Sequence, residues 1–167
     1  KELDKLKVSM AVGETRITDS HIEQYIGLSK EYNTFELNDA VLKQDVGRAM
    51  RIAEHFAHNQ KTYPITLTIT ILFGLFQQLF LLNYHMWQSR KRGIPMPADA
   101  ELMRAIRANN PFAVKELKAN IGRWNGPRLF KILGYLREYD AKSKGVDSGG
   151  LDGGELLKEL LLKIFMS

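Results

Sequence analysis

Hydrophobic positions in this chain recur at three and four residues almost from end to end, the spacing that lines up one face of an α-helix. Leu3, Leu6 and Met10 begin the pattern. Thr18 and Asp19 read as an N-cap and an acid in the first turn of a short helix carrying Ile22, Tyr25 and Ile26, stopping near Gly27. After a polar link, Phe35, Leu37, Val41 and Leu42 predict another helix, and Asp45 caps one whose stripe is Val46, Ala49, Met50, Ala53 and Phe56. Residues 59–62 read as a loop.

The next stretch carries two signals at once. Ile65, Leu67, Ile69 and Ile71 alternate with threonines as a half-buried strand would, yet Pro64 suits a helix start. Leu67, Ile71, Leu75, Gln78, Leu79 and Leu82 continue at helical spacing to about Gln88, and length decides for a buried core helix. Thr66, Gln77, Asn83 and His85 interrupt the run and argue against a membrane span.

Gly93, Pro95 and Pro97 break the chain, and Pro97 opens a helix with Leu102, Met103 and Ile106, ended by Asn109 and Asn110. Pro111 starts the next, with Val114, Leu117 and Ile121. Asn125-Gly126-Pro127 turns into a helix whose apolar face is Leu129, Ile132, Leu133, Leu136 and Tyr139. Residues 145–154 hold five glycines and two aspartates, a flexible connector before a last helix over 155–165. The expected fold is all-α, a helical bundle.

The 167 residues allow a domain of usual size, 44% hydrophobic and 26% charged, with no cysteine to form disulfides, thiolate metal sites or nucleophiles. Net charge is +5, but residues 88–137 alone carry eleven bases against three acids, so the rest of the chain is net negative. That concentration fits phosphates or an acidic protein face; solvated helix surfaces are the plain alternative. The chain starts at Lys1 without methionine, and the natural protein is expected to extend upstream; no secretory leader is recognisable in it.

Catalytic patterns fail one by one. Asp19, Ser20 and His21 are consecutive and cannot converge on one atom. His55 and His58 lack a third ligand at helical spacing and read as a surface pair, while His85 reads as core or interface. Residues 149–154 lack the Gly-Lys-Ser/Thr of a phosphate loop, and Leu151 stands where a calcium loop needs oxygen. No catalytic residue, metal or cofactor is expected. Residues 97–124 have a helix-turn-helix outline with Lys115, Lys118 and Arg123 on the second helix, so a stand-alone DNA-binding domain is one reading. Phe112 and Trp124 are candidate interface anchors, Trp124 being beside a turn, whereas Phe130 is assigned to the core.

The order of elements favours another reading. The run Asn33-Thr34-Phe35-Glu36-Leu37-Asn38-Asp39-Ala40-Val41, then Asp45-Val46-Gly47-Arg48-Ala49, then Pro64 opening a long apolar helix that ends at a basic cluster, resembles the C-terminal part of the bacterial DNA polymerase III delta subunit. The likeness continues through Asn110-Pro111-Phe112, Leu136 to Asp140, Lys144-Gly145 and the terminal Glu155-Leu156-Leu157-Lys158-Glu159-Leu160-Leu161. The threonine alternation departs from the more leucine-rich helix of that family.

The resemblance implies a component of the clamp loader, the cytoplasmic replisome assembly that places the ring-shaped sliding clamp on primed DNA. Residues 1–30 would be the C-terminal part of its small helical lid, and residues 31–167 its helical collar, the oligomerisation domain. Partners implied are the gamma/tau and delta-prime type subunits, with DNA nearby; the sliding clamp would be met by an N-terminal module that this sequence lacks. Although the holoenzyme is a nucleotidyltransferase, this fragment would be non-catalytic. The helix-turn-helix outline would then be collar packing, and Arg90, Lys91 and Arg92 would act electrostatically on a neighbour or on DNA.

Overall fold

The computed structural model describes residues 32–167, and among them every regular element is helical. Seven α-helices follow one another: α1 (Thr34–Leu42), α2 (Val46–His58), α3 (Ile65–Arg92), α4 (Asp99–Ala105), α5 (Pro111–Asn120), α6 (Gly126–Ser143) and α7 (Gly153–Met166), with a 3-10 turn at Ile121–Arg123. The expectations placed on residues 1–30, including the lid assignment and the Thr18–Asp19 helix start, lie outside the described residues.

Short polar side chains start most of these helices by accepting backbone N–H groups that have no partner within the helix. Asn33 accepts from Phe35 and Glu36 at 2.9 and 3.0 Å. Asp45 accepts from Arg48, Asn110 from Ala113 and Asn125 from Arg128. Asn110, expected to end one helix, thus begins the next. Asp152 and Glu155 form a reciprocal capping box, so α7 starts two residues before the predicted Glu155, inside what reads as a glycine connector. Gly154 is needed there for close approach: a Cβ on it would run into the Cβ of Ala57 and come within 2.8 Å of its Cα.

The long segment is a helix, as its length indicates, but it runs to Arg92, where Gly93 in the left-handed region (φ 67°) ends it. Its threonines fit the helix by bonding back one turn, Thr70 Oγ1 to Thr66 O at 2.9 Å. The expected apolar stripe is displaced. The buried positions are Thr68, Ile69, Leu72, Leu75, Phe76, Leu79 and Leu82, while Leu67 is 49% exposed. A helix that is apolar all round gives periodicity no single face to select. Among the described residues α3 is also the one helix long and apolar enough to cross a membrane by length and composition, though its buried face packs on the bundle.

α3 and α6 run antiparallel at the centre. Ile69 and Phe73 lie beside Leu136 and Asp140, and at the other end Asn83 donates to the Trp124 carbonyl at 3.2 Å and abuts Gly126. Beyond Leu82 no residue of α3 is fully buried, although Met86 still packs against the core. α7 lies on α2 and α6, burying Leu156, Leu157, Leu160, Leu161 and Ile164. Arg128 fastens its far end by donating to the Ile164 and Phe165 carbonyls. Arg48 ties α2 to Glu36 and Asp39 of α1, and Lys158 ties α7 to Glu54 of α2.

Two aromatic assignments are reversed. Trp124 is a core residue with no exposed surface: its Nε1–H donates to the Leu42 carbonyl at 3.0 Å and Phe76 meets it edge-on at 5.3 Å. Phe130 is 73% exposed, because Leu129 one residue earlier takes the position that faces the core.

Candidate functional site

Arg90, Lys91 and Arg92 fill the last turn of α3, where the partial negative charge of the helix C-terminus favours cations. All three are exposed, and among the described residues none is ion-paired with a carboxylate. Arg92 extends its guanidinium over the Trp87 ring, 5.1 Å from the centroid. The helix is otherwise uncharged: residues 65–89 contain neither an acidic residue nor Lys or Arg. The positive charge of α3 is therefore concentrated at its C-terminal end.

On the predicted helix-turn-helix, α4 and α5 pack on each other, but the second helix presents less free charge than its sequence indicates. Lys118 is held by Asp99 of α4 at 2.5 Å. Arg123 bonds the side chain of Asn120, itself largely buried. Lys115 is exposed and points away from Val114, Leu117 and Asn120, the buried positions of α5. Arg128 lies over Trp124 at 4.3 Å, and burial lowers the guanidinium's pKa from its usual value. The basic residues of 88–137 thus do different work: Lys118, Arg123 and Arg128 hold the bundle, and the tip of α3 does not.

Phe112 stands at the mouth of a groove of about 480 Å³ between α1, α3 and α5. It is 69% exposed; Phe35 of α1, on the same groove, is 79% exposed. Ile71, Leu75 and Leu117 contribute to the apolar lining, and Asp39 and Glu116 supply carboxylates, both near Lys43. The hydrogen bond to Asp39 raises the Lys43 pKa, so the local charges are mutually satisfied.

The sequence reading missed the rest of the exposed rings. Phe73, Phe80, Tyr84 and Trp87 all reach the surface on the outer side of α3. With Phe35, Phe112 and Phe130, this leaves five of the eight phenylalanines exposed. The signal was present as a second stripe on α3, offset from the leucines. The described histidines hold no common site: His58 Nδ1 bonds the Glu54 carbonyl at 2.8 Å, and His55 stacks on Tyr32 with centroids 5.0 Å apart. His85 is half-buried with its ring 6.0 Å from Tyr84. Among the described residues no three His, Asp or Glu side chains gather as a metal ion would require.

No family model, curated protein or solved structure matches this chain. What the arrangement offers chemically is apolar contact area over several faces and one cationic tip.

Proposed function

We propose that this chain is the collar part of a bacterial clamp-loader delta subunit, a non-catalytic module that holds delta beside its neighbours. The observation that carries the reading is the exposure of five phenylalanines on a helical bundle. Exposed aromatic groups of this density belong to surfaces that a partner covers, because large rings concentrate binding energy where water is excluded. The ordered resemblance from Asn33 to the last helix supports the clamp loader as that assembly.

In this reading the bundle meets gamma/tau and delta-prime type subunits through its apolar faces, and motion driven by ATP elsewhere is passed through the assembly to the clamp. Arg90, Lys91 and Arg92 add an electrostatic contact.

Size-exclusion chromatography of the chain mixed with the other loader subunits of its own organism tests this, with a duplex-DNA titration alongside. Co-elution is expected. Absence of co-elution together with sequence-specific duplex binding, weakened by Lys115→Ala plus Lys118→Ala and falling steeply with salt, would replace the collar by a helix-turn-helix DNA-binding domain.

A further inference from the structure

The exposed rings of α3 are not scattered. Phe73, Phe80, Tyr84 and Trp87, with Gln77 between the first two, recur at alternating spacings of four and three, the repeat that keeps one side of a helix turned toward a second helix. This seam flanks the leucines that face the bundle, with Phe73 at its start beside Leu136 and Asp140 of α6, and spans about 21 Å. Tyr84 and Trp87 stack at 6.2 Å with planes 19° apart, Gln88 Nε2 donates to the Tyr84 hydroxyl at 2.9 Å, and Arg92 covers Trp87. The rings at the C-terminal end are therefore held in place before any partner arrives, which lessens the ordering cost of docking.

We propose that this seam receives an antiparallel amphipathic helix of a neighbouring protein, with apolar residues at matching spacing and carboxylates in its first turn. The orientation follows from charge. The seam is neutral along its length and cationic where it ends at Arg90, Lys91 and Arg92. Acidic residues are most stable at a helix N-terminus, and an antiparallel partner brings its N-terminus beside this tip with its dipole opposed to that of α3. A second copy of the chain does not meet the description, since the first turn of α3 holds no acid and Lys61 precedes it. A nucleic-acid strand needs cations along its track, and between Arg137 of α6, beside Phe73, and the tip of α3 the seam's own residues carry none. The inference rests on the assembly reading for the presence of a neighbour, while the seam itself rests on α3 alone.

Two labelled synthetic helices of about 21 residues test it by fluorescence anisotropy, both with leucines at the alternating spacing, one with glutamates in its first turn and one with them in its last. The first is expected to bind about tenfold more tightly than the second, and Arg90→Ala, Lys91→Ala and Arg92→Ala together to equalise them. Phe80→Asp and, separately, Trp87→Ala should weaken both peptides about tenfold or more with unchanged circular dichroism. Equal binding of the two peptides overturns the orientation, and binding of neither overturns the seam. Binding of oligo-dT or of phosphatidylcholine–phosphatidylglycerol vesicles that Phe80→Asp abolishes, with no peptide binding, assigns the face to nucleic acid or membrane instead. Self-association abolished by Phe80→Asp assigns it to a second copy. In the co-elution experiment, assembly of both wild type and Phe80→Asp overturns the seam and leaves the collar. Peptide binding without wild-type co-elution retains the seam and removes the clamp loader.

Discussion

Trp124→Phe tests whether the indole belongs to the core, as its complete burial shows, or to a partner surface. The substitution keeps a ring in place but removes the donor that satisfies Leu42 O at 3.0 Å. Leu42 ends α1, so its carbonyl is a terminal acceptor that the helix cannot satisfy itself. Leaving such a buried group unpaired costs about 1–3 kcal/mol. The smaller ring also gives up apolar volume equivalent to two or so methylenes, about 1.5 kcal/mol. Contact with Arg128 at 4.3 Å is weakened but kept. The sum, about 2.5–4.5 kcal/mol, is a large share of a typical stability of 5–15 kcal/mol. With a urea dependence of about 2 kcal/mol per molar, the unfolding midpoint should fall by about 1–2 M. Far-UV circular dichroism in urea reads this, and Phe130→Ser in parallel should change stability by less than about 0.5 kcal/mol. A shift under about 0.3 M for Trp124→Phe, or a larger one for Phe130→Ser, would refute the core assignment.

Further outcomes follow from the packing and the caps. Gly154→Ala should destabilise by about 1–3 kcal/mol, because the new methyl meets Ala57 where backbone must move, whereas Gly134→Ala, with nothing within 4 Å, should stabilise by about 0.5–1 kcal/mol; urea unfolding of the pair checks the contrast. Asp152→Ala should cost about 1 kcal/mol near neutral pH through loss of the α7 cap. Backbone N–H groups of Glu155 first and Gly154 next lower the Asp152 pKa below 3.8, so the stabilisation from its charge is full above that pH and is lost as pH falls through the folded value. The difference between wild type and Asp152→Ala should therefore narrow below pH 3.8 in unfolding titrations over a pH series. Lys158 lowers Glu54 and Lys142 lowers Glu138 from 4.5, which places their loss in the same acid window. Phe35→Ser with Phe112→Ser should leave the unfolding free energy from urea titration within about 0.5 kcal/mol of wild type but weaken co-elution with loader subunits; a large loss of stability would show that these rings fill the core.

Helix starts were legible because their chemistry is local. Asp45, Pro64, Pro111 and Asn125 each mark a boundary within a few residues of where the structure puts it. The face of α6 was legible for the same reason, since charged residues separate its apolar positions, whereas on α2 the expected stripe is shifted: Val46 is 41% exposed and Ile52, not expected on it, is fully buried. The face of α3 was not legible, because residues 65–89 carry no charge to contrast with the leucines, and the choice of inward face depends on where α6 lies. Trp124 leaves a 3-10 turn outside any helical register, so its burial follows from Leu42, 82 positions earlier in sequence, and from Phe76. Gly153 and Gly154 read as a linker because glycine signals freedom locally; only Ala57 on another helix makes them the foot of α7. Of the candidate residues, all but Trp124 lie at the surface: Arg90, Lys91, Arg92, Phe112, Lys115, Lys118 and Arg123. The ties of Lys118 to Asp99 and of Arg123 to Asn120 depend on how the backbone folds around them.

The position of α7 bears on how the molecule is made. α2 is synthesised early, yet much of its apolar face is covered by a helix about a hundred residues later in the chain. Until that segment emerges, Phe56 and Ile52 lack the cover that α7 gives them, and the bundle cannot complete as a unit. The tie between Arg128 and the carbonyls of Ile164 and Phe165 is therefore among the last contacts to form. A nascent chain stalled before residue 153 would present the same greasy surface that chaperones recognise.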